Sequence, residues 1–166
     1  VVAEYSVPVL MSPEDKIVLD NNQNAVRDFG LTAPDSSQIK TVDIKDGDVL
    51  DTLEGAPFKV ITTPGHTPGC VCYYCEADKV LLSGDTLFAG TIGRTDHLGG
   101  DYDMEIVSVM DKLMGLPGDV DVLPGHGRRT TIADERTHNP FLQPFNEPEE
   151  DPDWDGDGIE IDPIGR

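Results

Sequence analysis

Three apolar runs in this chain stop abruptly at glycine-bounded turns, and each turn carries an imidazole or a carboxylate. The segments are Thr63-Pro-Gly-His-Thr-Pro-Gly69, Ser83-Gly-Asp-Thr-Leu-Phe88 and Pro124-Gly-His-Gly127. A β-branched or Leu-rich run leading straight into such a turn is how a fold presents side chains at one edge of a sheet. His66, Asp85 and His126 are thereby expected at a common edge. Imidazole and carboxylate are ligands that zinc and other borderline metals prefer, so the three amount to half of a metal site. The glycines beside His66 and His126 let the backbone turn tightly and approach a ligand closely.

The elements between these turns follow from local patterning. Ser12, Pro13, Glu14 and Asp15 read as a helix start, with Ser12 as N-cap, Pro13 at the first helical position and acids in the first turn. That helix is expected from 13 to about 29. Strands are expected over 41–44, 58–62, 71–75, 79–83 and 120–124, with Glu76-Ala-Asp78 turning one hairpin. Residues 90–100 form a glycine-rich loop. The spacing of Ile106, Val107, Val109, Met110, Leu113 and Met114 predicts an amphipathic helix over 103–114, and a short helix follows over 132–137. Strands flanked by helices make the fold class α/β.

Composition narrows the possible partners. At 166 residues and 37% hydrophobic, the chain is long enough for one domain with a real core, and one domain or a large piece of one is expected. Its 32 acidic residues against 12 basic ones give a net charge of −20, which argues against nucleic acid or an anionic membrane as partner. There is no apolar run of about 18 residues and no basic-then-apolar leader, so a cytoplasmic location is expected. Cys70, Cys72 and Cys75 sit on one β-branched, aromatic segment. Strand alternation sets Cys70 and Cys72 on one face and Cys75 on the other, so they read as reduced sheet cysteines rather than a cluster around one ion. Beyond Glu147 the chain turns to Pro, Asp, Glu and Gly, the composition of a tail. Within it, residues 151–162 copy the carboxylate spacing of a calcium loop without the flanking helices of an EF-hand, and read as a solvated acidic tail.

Taken with Gly93-Arg-Thr-Asp96 and Glu135-Arg-Thr-His-Asn-Pro-Phe-Leu142, the three turn segments resemble, in order and spacing, the metallo-β-lactamase superfamily. Within it the resemblance is to the small bacterial glyoxalase II-like hydrolases, and it runs from about 7 to 142. It implies that His66 completes the three-histidine shell of a first metal, that Asp85 bridges two metals and positions the hydroxide, and that His126 serves the second metal. The implied cofactor is Zn2+, two ions per complete site, with iron or manganese suited by the same ligand types. The implied chemistry is hydroxide attack on a carbonyl, typically the thioester of a glutathione conjugate. Arg94 and Arg128, and with them Arg129, are cations available to an anionic group of that substrate. Glu135 and Arg136 are expected to pair or to orient neighbours near the second metal. His138 is expected to pack or cap the last helix, and Tyr73, Tyr74 and Phe88 to belong to the sheet core.

The family's His-x-His-x-Asp-His motif is missing from this chain, which has 4 histidines in all. Asp96-His97 matches only the motif's end, because Ile92 and Arg94 stand where its leading histidines would be. His97 is accordingly read as a loop residue. The resemblance therefore implies the C-terminal portion of an αββα sandwich, spanning 1–146 and followed by the tail at 147–166. The first residue is Val1 rather than Met, and the chain is expected to be part of a longer hydrolase, incomplete and inactive by itself. One sheet face would then be apolar and open, to be covered by the missing N-terminal portion or by a second copy in a homodimer. Two other readings share the residues: an iron-dependent persulfide dioxygenase, and a non-catalytic partner or degenerate subunit. The Gly-His-Gly turn at His126 favours the hydrolase.

Overall fold

The computed structural model describes residues 7–19, 39–51 and 56–145. Its frame is a six-stranded sheet built from β3 (Val49–Leu50), β4 (Phe58–Thr62), β5 (Val71–Cys75), β6 (Val80–Gly84), β9 (Asp121–Pro124) and β10 (Thr130–Thr131). The spatial order is β10-β9-β6-β5-β4-β3. A parallel pair, β1 (Val9–Met11) with β2 (Thr41–Asp43), stands apart from this sheet, as does a two-stranded hairpin of β7 (Leu87–Phe88) and β8 (Thr91–Ile92). Helices α1 (Tyr102–Ser108) and α2 (Ile132–His138) complete the α/β arrangement.

One face of the sheet carries the core. Register aligns Ile61 with Cys72, Tyr74 with Leu81, and Leu81 with Val122. These residues pack with Ile106, Val109 and Leu113 from the helical segment and with Ile132 and Leu142. The opposite face is closed over Val60 and Cys75, both fully buried, but Leu82 and Leu123, neighbours in register, are 37% and 38% exposed. Leu82 and Leu123 thus leave a small apolar surface open on this side of β6 and β9.

Several elements depart from the sequence reading. Ser12 does not cap: its hydroxyl donates to the Glu14 carboxylate, and Pro13–Asp15 is a 3-10 turn. Most of the helix expected over 13–29 lies outside the described residues, as do the tail and its calcium-like loop at 151–162. The helix expected over 103–114 begins one residue earlier, at Tyr102, where the Asp101 side chain accepts from the Met104 amide. It then widens into a π-helix over Val109–Leu113, with the Met114 amide reaching back to the Val109 carbonyl at 3.0 Å. The start of the glycine-rich loop is ordered as the β7–β8 hairpin, because Ala89-Gly90 makes a two-residue turn with Gly90 at φ 77°.

The cysteines are structural. Cys72 faces the core, and Cys75, three residues on, lies on the other face; Cys70 precedes β5. Burial pushes the Cys72 thiol up to about 12, against the hydrogen bond from Thr63. It also raises Cys70, which is partly buried. With thiolate scarce at pH about 8, Ellman's reagent is expected to titrate at most one thiol, Cys70, in the folded protein, and the other two only after denaturation. Three fast thiols in the native protein would contradict this packing.

Candidate metal centre

Strand direction assembles the site. β5 is antiparallel to both β4 and β6, and β9 is parallel to β6, so β4, β6 and β9 all run the same way. Their C-terminal ends meet at one edge, and the turns bearing His66, Asp85 and His126 leave from there. The Gly125 amide donates to the Gly84 carbonyl at 2.8 Å, continuing the β6–β9 pairing into the turns themselves. A register shift between Leu82 and Gly84 breaks the ladder just before Asp85 and re-aims the chain there.

Asp85 is the centre of the arrangement. Its Oδ2 lies 3.8 Å from His66 Nε2 and its Oδ1 3.8 Å from His126 Nε2. Both separations exceed a hydrogen bond. They are close to the ~3.4 Å between two ligand atoms on a tetrahedral ion with bonds of about 2.0–2.1 Å. The His66 ring is held from behind: Nδ1 is 2.7 Å from the Arg94 carbonyl, which can only accept. Nδ1 therefore carries the proton, and the Nε2 lone pair faces Asp85. His126 is more exposed, and its ring packs on Phe88 with centroids 4.4 Å apart. Among the described residues, no three His, Cys, Asp or Glu side chains close into a coordination group on their own. The donor chemistry nonetheless fits a metal: two imidazole nitrogens address opposite oxygens of one carboxylate.

The close approach that the glycines permit is to protein carboxylates. A Cβ on Gly125 would stand 2.4 Å from Asp85 Oδ1. One on Gly93 would stand 2.1 Å from the Asp85 carbonyl, 2.6 Å from Glu105 Oε1 and 3.1 Å from His66 Cβ. Glu105 has no exposed surface, and its Oε2 accepts from the His66 amide at 2.8 Å. Burial pushes its carboxyl up to about 7, with the backbone amides of His66 and Gly93 pulling the other way. The sequence reading missed this residue. Its signal was an acid four residues before Val109 and eight before Leu113, on the helix stripe that becomes core.

The remaining residues fall in varied places. Arg94 is exposed and paired with Asp96, Nε to Oδ1 at 2.9 Å. Arg128 and Arg129 are exposed on the segment after His126. His97 is an exposed loop residue as expected, but its Nε2 comes within 3.3 Å of His66 Nδ1, a contact no periodicity foretells. Glu135 orients its neighbours: it accepts from the Gly90 amide at 2.8 Å, from Asn139 at 2.8 Å and from the Thr130 hydroxyl at 2.6 Å. It thus braces the hairpin that carries Phe88. Arg136 donates instead to the carbonyls of Met114 and Leu116, because its side chain follows the end of the π-helix. His138 pairs with Asp134 one turn back, as a helix-end residue. A cleft of 370 Å³ opens beside the centre between Met11, Asp15, His66, Cys70 and Asp85. A larger cavity of 720 Å³, lined by Val49, Lys59, Tyr74 and Lys112, contains none of the three metal-type residues.

With this geometry in view, comparison with known proteins is decisive for the family. A model of the metallo-β-lactamase superfamily matches residues 2–126. The chain belongs to that superfamily. It is 38% identical over 129 residues to hydroxyacylglutathione hydrolase GloC of Haemophilus influenzae, covering 78% of this chain and 60% of that protein. It is 39% identical over 132 residues to the probable metallo-hydrolase YqgX of Bacillus subtilis, covering 76% and 63%. Among solved structures, TTHA1623 in a di-iron-bound form superposes with a TM-score of 0.74 at 34% identity, over 85% of this chain and 68% of that one. The chain thus spans less than two thirds of the length of these curated relatives. Among the described residues, no helix is long and apolar enough to cross a membrane.

Gly93 is the tightest point of the centre, and it supplies a test. Gly93→Ala forces a methyl group into backbone and is expected to destabilise the fold by about 3 kcal/mol or more. Gly115→Ala meets nothing within 4 Å and should change stability by no more than about 0.5 kcal/mol. Denaturant unfolding of the two variants checks this; equal midpoints would contradict the packing at Gly93.

Proposed function

We propose that the protein is a metal-dependent hydrolase of the glyoxalase II type, acting on a glutathione thioester or a related acyl substrate. The observation that carries the reading is the disposition of His66 and His126 on opposite oxygens of Asp85. Likeness to GloC supports the thioester class, and likeness to a di-iron protein supports a centre for two ions. His66, Asp85 and His126 are the assigned metal ligands. Zinc is the first choice, and iron or manganese suits the same nitrogen and oxygen donors.

When bound, the metal supplies Lewis acidity and a hydroxide available at neutral pH. The chain's own residues do the rest. Asp85 offers one oxygen to each histidine side and holds the two halves of the site at a fixed separation. The Arg94 carbonyl keeps the proton on His66 Nδ1, so that Nε2 stays a donor of electrons. Phe88 covers one side of the His126 ring and limits where it can swing. Arg128, exposed two residues beyond His126, is assigned to an anionic group of the substrate. Arg94 has the same assignment, and to fill it its guanidinium must exchange Asp96 for the substrate.

Thioester hydrolysis by the zinc- or iron-loaded full-length protein, followed with a hydroxyacyl-glutathione, tests the reading, since this chain by itself lacks the His-x-His-x-Asp-His ligands. His66→Ala, Asp85→Ala and His126→Ala should each lower kcat/KM by on the order of 10²-fold or more, given the several kcal/mol that a metal contributes to transition-state stabilisation. Each should also lower the bound metal. Turnover untouched by all three substitutions would overturn the proposal, as would oxygen consumption on a persulfide without thioester cleavage.

A further inference from the structure

The buried carboxylate of Glu105 touches the candidate metal centre without being placed to bind a metal. We infer that Glu105 is a positioning residue for His66, the central point of a cradle that one face of α1 makes for the segment Pro64-Gly65-His66; this inference rests on the assignment of His66 as a metal ligand.

Three contacts define the cradle. The Asp101 amide donates to the Gly65 carbonyl at 2.8 Å, Glu105 Oε2 accepts from the His66 amide at 2.8 Å, and the Ser108 hydroxyl donates to the Pro64 carbonyl at 2.6 Å. Residues 101, 105 and 108 are spaced four and three apart, so they lie along one helical face. That face reads three consecutive residues of a turn 39 positions away from Glu105 in sequence. The turn has no ladder partner of its own for the His66 amide, and a buried amide without an acceptor is costly.

Glu105 also meets the segment that orients the His66 ring. Its Oε1 has no hydrogen-bond partner and lies where a Cβ on Gly93 would come to 2.6 Å. Gly93 precedes Arg94, whose carbonyl takes the His66 Nδ1 proton at 2.7 Å. The Gly65 side is equally close, since a Cβ there would stand 2.2 Å from Oε2. One carboxyl group thus fills the space between the backbone that carries His66 and the backbone that fixes its ring. An isolated buried carboxylate costs stability where an apolar side chain of similar volume would not. What the acid supplies here, and a leucine would not, is an acceptor for the His66 amide.

The test compares Glu105→Gln, which keeps a carbonyl acceptor in the same shape, with Glu105→Leu, which removes it. Zinc affinity is read by competition with a chromophoric chelator. The His66 backbone amide and ring nitrogens are read by 15N NMR on the metal-free protein. Glu105→Leu should weaken zinc binding by about 10- to 100-fold, and Glu105→Gln should restore it to within about 3-fold of wild type. In the metal-free protein, Glu105→Leu should shift the His66 amide upfield and average its ring tautomers, leaving His126 signals in place. Should Glu105→Leu not fold, Ser108→Ala carries the test, with His66 signals expected to move in the same sense. Wild-type zinc affinity and unchanged His66 signals in a folded Glu105→Leu or Ser108→Ala protein would overturn the inference, as would a Gln variant as impaired as the Leu variant. If wild-type protein binds no zinc, the metal-ligand assignment fails, and the NMR response alone decides whether Glu105 positions His66.

Discussion

The parallel pairing of β6 with β9 is the constraint on which the rest depends. Leu82 aligns with Leu123 and Gly84 with Pro124, so two strands far apart in sequence end side by side. A parallel pair needs a long crossover, and here the crossover contains the β7–β8 hairpin, the glycine-rich loop and α1. These are the elements that contact the ligand turns. The Phe88 ring of the hairpin packs on His126, the Arg94 carbonyl of the loop holds His66, and α1 carries Glu105. One topological requirement supplies both the ligand-bearing edge and the shell behind it.

Carboxylates do the structural work in this shell, and glycines make room for them. Asp85 lies against Gly125, and Glu105 is wedged between Gly65 and Gly93. Each arrangement brings a carboxyl group close to backbone, and at Glu105 the His66 amide compensates one oxygen for lost water. Glu135 plays a comparable part for the β7–β8 hairpin, with three donors on its two oxygens. Acids packed against backbone in this way fix distances that loops alone would leave loose, and a metal site tolerates little slack in its ligands.

How much was legible in the sequence follows from which forces are local. The spans of β4 and β5 agree residue for residue with the runs Phe58-Lys-Val-Ile-Thr62 and Val71-Cys-Tyr-Tyr-Cys75, where β-branched and aromatic side chains dominate. His66, Asp85 and His126 were visible because ligand-type residues followed apolar runs. Their placement at a common edge was expected for the same reason, but the strand order that produces it was not legible. The β7–β8 hairpin escaped because its strands are two residues each, too short for any period to declare itself. Glu105 and the His97 contact escaped for a different reason. Both arise where a loop folds back on a distant element, and only the acid on an otherwise apolar helix stripe left a trace in the chain.

Anomalous diffraction from crystals of the metal-loaded protein is the most direct test of the central claim, that the edge formed by β4, β6 and β9 is a single metal centre shared through Asp85. The account predicts metal density bonded to Asp85 and to at least one of His66 Nε2 and His126 Nε2, with the His66 Nδ1 contact to the Arg94 carbonyl retained. Metal density elsewhere in the protein, with Asp85 uncoordinated, would contradict it.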